Sequence, residues 1–359
     1  MIIDNVFAIG VMSGTSLDGV DFVYVKFQSD NYQDFEIMHA KTFPYSKEWK
    51  QLLQNAIQSP KKEIEDLDIL YGKYLGNITN QFISEYQIKN IDFIASHGHT
   101  ILHQPEKGIT LQIGNGQEIA NISKQKVVCD FRTQDVKLGG QGAPLVPIGD
   151  ALLFSDFDFC LNLGGFSNIS FKKDDNRIAF DICPVNIVLN FYANKLGLEY
   201  DDAGKIASSG ITNQQLLEKL NSLEFYQKEP PKSLGLEWVQ KEIFPLIDGF
   251  ELDISSILRT FVEHIAIQIS AIIQNNSNVL ITGGGVFNDF LLARMEHHSN
   301  CKIELSSKKL INFKEALIFA FLGLLKVNNK INCLKSVTGA SKDHSSGVIF
   351  YPEFLKQKF

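Results

Sequence analysis

One plan of elements occurs twice in this chain, and it limits the fold more than any other feature. The first copy has strands expected at 6–11, 22–27 and 35–42. A turn rich in small residues joins the first two, and Asp30-Asn31 turns the chain between the last two. A helix over 47–58 follows. The second copy has strands at 158–163, 168–171 and 177–182, a tight turn at Gly164-Gly165-Phe166-Ser167, a second turn at Asp174-Asp175-Asn176, and a helix over about 184–196. Strand, Gly turn, strand, turn, strand, helix, repeated once, predicts a duplicated α/β architecture with a cleft between the halves. A length of 359 residues agrees, since it suggests about two domains.

The first Gly turn is Gly10-Val11-Met12-Ser13-Gly14-Thr15-Ser16-Leu17-Asp18-Gly19-Val20-Asp21. Glycine lets backbone approach a ligand closely, and successive N–H groups in such a turn form an anion-binding concavity. Ser13, Thr15 and Ser16 add hydroxyls. Asp18 and Asp21 are able to hold water around a divalent cation. There is no G-K-[ST], so this is not a Walker A loop. An ordinary polar hairpin is the competing reading.

Between the two copies lie a helical stripe over 62–86, with Ile64, Leu67, Leu70, Tyr71, Tyr74, Leu75 and Ile78 read as core, and strands at 91–96, 109–113 and 127–129. The first of these strands delivers Ser96-His97-Gly98-His99-Thr100, and the last leads into Asp130-Phe131-Arg132. Residues 133–150 hold Gly139, Gly140, Gly142, Pro144 and Pro147; they read either as the crossing between domains or as a structural loop. Further on come a helix over 254–274, a strand over 279–282 ending in Gly283-Gly284-Gly285, helices over about 288–296 and 315–326, and surface loops at 328–332 and 342–346. Strand, triple glycine and helix suit a nucleotide, but are also an ordinary βα turn.

Asp181 ends an apolar strand, where a carboxylate is costly without a partner or a role. It is either a catalytic base or a cap of the following helix. Asp130 and Arg132 are placed either to grip acidic and hydroxyl groups of a ligand, the planar guanidinium suiting a carboxylate, or to bridge each other. His97 and His99, two apart, lack a visible further ligand set for metal. His297-His298 looks like a solvated helix face.

Composition sets the outer limits. Hydrophobic residues make up 44% and charged residues 21%, as in a soluble globular protein. A net charge of -7 disfavours nucleic acid as a partner. The five scattered cysteines contain no C-x-x-C pair, so they indicate neither zinc nor a disulfide framework and fit a reducing cytoplasm. No basic leader is visible at the N-terminus. The most apolar run, 316–325, is far below the roughly 20 residues of a membrane span.

The stretch from Gly10 to Asp21 resembles the N-terminal signature of the anhydro-N-acetylmuramic acid kinases, a branch of the sugar kinase/Hsp70/actin superfamily. The likeness continues through Ser96–Thr100, Asp130–Arg132, Gly139-Gly140-Gln141-Gly142-Ala143-Pro144-Leu145-Val146-Pro147, Asn162-Leu163-Gly164-Gly165, Pro231-Lys232-Ser233, Gly283-Gly284-Gly285 and Ser336-Val337-Thr338-Gly339-Ala340, in family order over nearly the whole chain. The resemblance implies two actin-like (ribonuclease H-like) α/β domains with an ATP cleft between them. These would be 1–135 plus about 315–359, and 136–314. It implies ATP and Mg²⁺, with Gly14, Thr15, Ser16, Leu17, Asp18, Gly19, Val20, Asp21, Gly164, Gly165, Gly283, Gly284 and Gly285 at the nucleotide and Asp18 holding Mg²⁺ through water. It implies that Asp181 activates water, that His97, Thr100, Asp130, Arg132 and Asn186 meet the sugar, and that the protein is a cytoplasmic homodimer. The family usually has Asp-x-Gly-Pro-Gly-Asn where this chain has Asp181-Ile182-Cys183-Pro184-Val185-Asn186. The two missing glycines bear on the choice of sugar, so a kinase of another amino sugar is one alternative. A non-catalytic nucleotide-binding module is the other.

Overall fold

The computed structural model describes residues 5–14 and 17–353, and falls into two compact units, Met1–Leu153 with Phe313–Phe359, and Phe154–Asn312. Thr15 and Ser16 lie outside the described residues. In chain order the first unit opens with β1 (Asn5–Ser13), β2 (Gly19–Gln28), β3 (Phe35–Pro44), α1 (Lys47–Asn55) and α2 (Lys61–Glu85). It continues with β4 (Phe93–Ser96), β5 (His99–Gln104), β6 (Ile109–Ile113), α3 (Gly116–Ser123), β7 (Val127–Cys129), α4 (Thr133–Lys137) and α5 (Val146–Leu153). The second unit has β8 (Phe159–Leu163), β9 (Phe166–Lys173), β10 (Asn176–Pro184), α6 (Asn186–Asn194), α7 (Lys205–Ser209), α8 (Gln214–Asn221), α9 (Glu224–Gln227), α10 (Leu236–Trp238) and α11 (Phe244–Asp248). It ends with α12 (Ile254–Ser270), β11 (Asn278–Thr282), α13 (Asp289–His298) and β12 (Lys302–Leu305). The unit boundary then falls inside α14 (Lys308–Val327), after which α15 (Lys335–Thr338) and β13 (Val348–Phe350) complete the first unit.

Both main sheets are built the same way. The second runs β10-β9-β8-β11-β12, which is third, second, first, fourth and fifth strand in order of appearance. The first runs β3-β2-β1-β4-β7 in the same sense, with β13 added antiparallel on the β7 edge. In each, a three-stranded antiparallel meander continues into two parallel strands. This is the duplicated α/β plan expected from the repeated turn pattern, and the one that the family resemblance implies. β5 and β6 form a separate hairpin.

Side-chain spacing explains the layers. On α2 the buried face is Tyr71, Leu75, Ile78 and Phe82, while Leu70, expected in the core, is exposed. Gly72 and Gly76 on the same helix let α3 approach: a Cβ on either would fall 2.8 Å from Asn115 N or Ile122 Cβ. α12 is capped by Asp253, which accepts from Ser256 N at 2.9 Å, and buries Leu258, Phe261, Val262, Ile265 and Ile269. The apolar run 316–325 is buried throughout. It packs on β1 so closely that a Cβ on Gly10 would sit 2.0 Å from the Ala316 carbonyl oxygen.

One expectation fails here. Residues 328–332 and 342–346 are not simply surface loops, because Asn332, His344 and Ser346 are buried. The Asn332 amide donates to the carbonyls of Leu322 and Ser346, and its Oδ1 accepts from Ser346 N at 2.7 Å. Polar letters in both segments conceal this, since buried backbone groups need partners and an Asn supplies both kinds. Residues 133–150 all lie in the first unit and contain α4 and most of α5.

Candidate functional site

In the second unit, three stretches of backbone meet. The turn between β8 and β9 carries Gly164 and Gly165. The Gly165 carbonyl accepts from Val185 N at 2.8 Å and Ile187 N at 3.2 Å, which seats the start of α6 on the turn. Gly283 follows β11 with φ of 85°, and a Cβ there would lie 2.6 Å from Asn162 Oδ1 and 2.7 Å from the Leu163 carbonyl. Asn186 joins the three, its amide donating to Leu163 O at 3.2 Å. Gly284 and Gly165 are different in kind from Gly283. A Cβ on Gly284 would meet nothing closer than Asn186 Nδ2 at 3.8 Å, and one on Gly165 only Ile187 at 3.9 Å. Neither glycine is required by packing, so both leave bare backbone facing open space. That is the arrangement a phosphate chain needs, and the residues fit ATP.

Asp181 stands on β10 at a register shift between Asp181 and Cys183. Its backbone N donates to Lys232 O at 3.1 Å, and its Oδ2 accepts from Leu234 N at 2.9 Å. The Pro231-Lys232-Ser233 motif is thus the clasp that fixes Asp181. Its Oδ1 has no hydrogen bond among the described residues. Burial raises the carboxyl above its usual range, and the Leu234 N–H only partly opposes that. Asp181 does not cap α6: the cap position is Val185, with no side-chain hydrogen bond. Val185 has φ of -127° and Cys183 no positive φ, so this chain makes the turn without left-handed backbone at either departure from the family pattern. Ser167 Oγ donates to Cys183 O and accepts from Cys183 N, holding the turn from below.

In the first unit, the Gly10–Asp21 stretch forms the ends of β1 and β2 and the turn between them. Leu17 has φ of 60°, a strained value for a branched side chain. Asp18 is exposed, and its carbonyl accepts from Tyr45 N. Asp21 accepts from Thr42 Oγ1, and burial raises its carboxyl, with the neighbouring Asp18 charge adding to the rise. Asp18 at the turn and Asp21 near the start of β2 both offer carboxylate oxygens, the donor type that Mg²⁺ takes. Gly19 and Val20 have packing roles: a Cβ on Gly19 would lie 2.4 Å from Phe43 O, and Val20 is fully buried. Gly14 accepts from Leu17 N.

A second cluster in this unit surrounds His97. Arg132 donates from Nε to His97 Nε2 at 3.0 Å and from a terminal nitrogen to Gly142 O at 2.6 Å. Arginine only donates, so His97 Nε2 carries a lone pair, and the ring proton sits on Nδ1, donated to Gly98 O at 3.0 Å. Burial and the adjacent guanidinium hold His97 neutral, well below the usual histidine range. Burial lowers Arg132 itself to about 10, opposed by Glu315 on α14, a carboxylate open to solvent yet ringed by protein. Asp130 does not pair with Arg132; it has φ of 58° and accepts from Thr133 N. Thr100 lies on β5 and accepts from Gln112. His99 bonds Ser13 Oγ at 2.8 Å, and Ser13 bonds Tyr45, which bonds Tyr71. This buried chain behind the turn was not anticipated; only the hydroxyl of Ser13 signalled it. His298, read as solvated, pairs with Glu263 on α12.

The chain matches the family model described as anhydro-N-acetylmuramic acid kinase over residues 6–352. It is 32% identical over 370 residues to an anhydro-N-acetylmuramic acid kinase of Sulfurimonas denitrificans, covering 96% of this chain and 99% of that one. To the anhydro-N-acetylmuramic acid kinase of Shewanella loihica it is 33% identical, covering 95% and 98%. Among solved structures, a component of (R)-2-hydroxyglutaryl-CoA dehydratase from Acidaminococcus fermentans is similar at 11% identity and a TM-score of 0.45, covering 88% of this chain and 96% of that one. That likeness is too remote to carry an argument, whereas the sequence matches span both units and every glycine turn described above. The chain belongs to the anhydro-N-acetylmuramic acid kinase family.

Proposed function

We propose that this protein is an ATP-dependent kinase that opens the 1,6-anhydro ring of anhydro-N-acetylmuramic acid with water and phosphorylates O6, giving N-acetylmuramic acid 6-phosphate for wall-sugar recycling in the cytoplasm. The observation that carries this is Asp181. One carboxylate oxygen is fixed by Leu234 N, the other is free, and burial keeps the group more basic than an ordinary aspartate. A free, oriented, basic carboxylate is what a general base requires. The Asp181 carboxylate takes a proton from water as its oxygen bonds to the anomeric carbon. The C1–O6 bond breaks, and O6 bonds to the γ-phosphorus of ATP as the bond to the β-phosphate oxygen breaks. The bare backbone at Gly165 and Gly284 supports a phosphate role, Gly164 is assigned to the same phosphates, and Gly283 and Gly285, both packed against Leu163, shape that turn. His97, Thr100, Asp130 and Arg132 are assigned to the sugar, with Arg132 toward its carboxylate. Asn186, beside Gly284, is assigned to the sugar as well. Gly14 to Asp21 are assigned to nucleotide and metal, and Asp18 would hold Mg²⁺ through water. When bound, Mg²⁺ neutralises charge on the phosphates. The domain limits 1–135 with 315–359 and 136–314, and a homodimer, belong to the same proposal.

The test is a reaction in ¹⁸O-water with anhydro-N-acetylmuramic acid and ATP. The expected product carries one label on the anomeric carbon and none on phosphate. Label on inorganic phosphate without sugar phosphate would mean ATP hydrolysis and end this reading. Faster turnover of an open-ring amino sugar would move the substrate to that class.

A further inference from the structure

Behind the loop that holds Arg132, the first unit has a buried cluster of Asp135, Cys333 and His344. Their ligand-capable atoms all lie within 4.8 Å of one another. We propose that this cluster is a binding site for a thiophilic divalent transition metal, of which Zn²⁺ is the natural occupant.

Four observations carry it. The first is the donor set. Thiolate, imidazole and carboxylate together suit zinc, whereas magnesium prefers oxygen alone. The second is backbone preorganisation. Cys333 and His344 are directly opposed in an isolated antiparallel bridge, each N donating to the other's carbonyl at 3.1 Å. Their side chains are therefore held side by side by main chain, not by each other. The third is the ring orientation of His344. Its Nδ1 is 3.1 Å from Lys342 O and donates to it, which leaves Nε2 as the free ligand nitrogen. A carbonyl behind the ring is the usual support of a metal-bound histidine. The fourth is that Nε2 has no hydrogen-bond partner among the described residues although the side chain is only 3% exposed, and it lies 3.6 Å from Asp135 Oδ1. A buried polar atom without a partner is rare enough to need a cause.

Two of the three ligand-atom distances lie close to the geometry of a zinc site. With bonds of about 2.0–2.3 Å, ligand atoms around a tetrahedral zinc stand roughly 3.3–3.7 Å apart. Here Cys333 Sγ to Asp135 Oδ1 is 3.1 Å, and His344 Nε2 to the same oxygen is 3.6 Å. In the metal-free form the Cys333 thiol donates to Asp135. Binding expels that one proton to solvent and places the thiolate on the metal, so below the thiol pKa affinity falls about tenfold for each pH unit lowered. Asp135 Oδ2 also accepts from Gly142 N at 2.7 Å, and Gly142 O is the acceptor of Arg132. The metal would thus brace the loop on which Arg132 rests, at a point that does not touch substrate.

All three ligands are buried, so loading has to accompany folding. The experiment therefore uses the full chain produced in medium supplemented with Zn²⁺ or with Co²⁺, with metal content measured after gel filtration in chelator-free buffer. About one metal per chain is expected, and the cobalt form should show a near-ultraviolet thiolate-to-cobalt charge-transfer band. Cys333→Ser and His344→Gln should each lower retained metal at least tenfold, and Cys333→Ser should abolish the band. The parent alone is decisive if a variant does not fold: less than about a tenth of an equivalent and no cobalt band would overturn the site, leaving Asp135 a hydrogen-bond hub. A band surviving Cys333→Ser would assign the metal to another thiol and equally overturn it.

Discussion

Asp181→Asn separates a base from a scaffold. In the parent, Leu234 N selects one oxygen of Asp181 and leaves the other free. An asparagine offers that N–H only its carbonyl, so its NH₂ must take the place of the free oxygen. The substitution therefore does more than weaken a base, because it puts a donor where an acceptor is needed. General-base removal typically costs 10²–10⁴ in rate, or about 3–5 kcal/mol. The forced orientation predicts the upper end, a loss near 10⁴ in kcat with KM within a few-fold. Folding should not suffer. Burial raises the Asp181 carboxyl above its unfolded value, so the folded state holds the proton more tightly. That contribution is present at low pH and is lost as pH rises through the raised pKa. The neutral asparagine avoids the loss, so the variant should match the parent in acid and be slightly more stable at pH 7. Coupled spectrophotometric rates and thermal melts at pH 4 and 7 test both halves. For the same reason the parent's rate should fall on acidification at a pH above the ordinary aspartate range. Turnover of Asp181→Asn within tenfold of the parent would refute the assignment.

Other substitutions test the remaining parts. Gly284→Ala should fold like the parent, having nothing nearer than 3.8 Å to meet, yet raise KM for ATP at least tenfold. Gly283→Ala should instead be destabilised by about 1–3 kcal/mol in denaturant melts, since it needs positive φ and clashes with Leu163. Equal effects at the two positions would contradict the distinction. Arg132→Lys removes the donor fixed to His97 Nε2, so sugar KM should rise tenfold or more with ATP KM unchanged, measured by varying each substrate. Asp18→Ala, at an exposed position, should leave the melting curve in place but shift half-saturation by Mg²⁺ upward several-fold in a metal titration.

Much of this was legible in the sequence. The antiparallel strands were readable because alternation and turn residues are local signals, and 109–113 and 127–129 were placed to the residue. The repeated turn pattern announced a duplicated architecture before any strand pairing was known. What stayed hidden was long-range. Asp181 is positioned by Leu234, 53 residues away, and no local pattern links the two. Gly19 and Gly284 look alike as letters, but one is demanded by Phe43 and the other faces open space. The cluster of Asp135, Cys333 and His344 gathers residues separated by up to about 200 positions, so cysteine spacing gave no hint of it. The small helices between α6 and α12 carry too few residues for periodicity to register.

The order of synthesis gives the interrupted first unit a further meaning. The second unit is one unbroken segment, Phe154–Asn312, whereas the first needs α14, α15 and β13, which the ribosome makes after that segment. Gly10 awaits Ala316, and Phe93 and Ala95 await Gly323. At 5–20 residues per second, that sheet face goes uncovered for on the order of 10–30 s while the inserted unit emerges. The inserted half can complete itself while the N-terminal half still waits for α14, α15 and β13. A chain truncated after Asn312 should therefore display a protease-resistant second half and a chaperone-dependent first half, the reverse of their order in the gene.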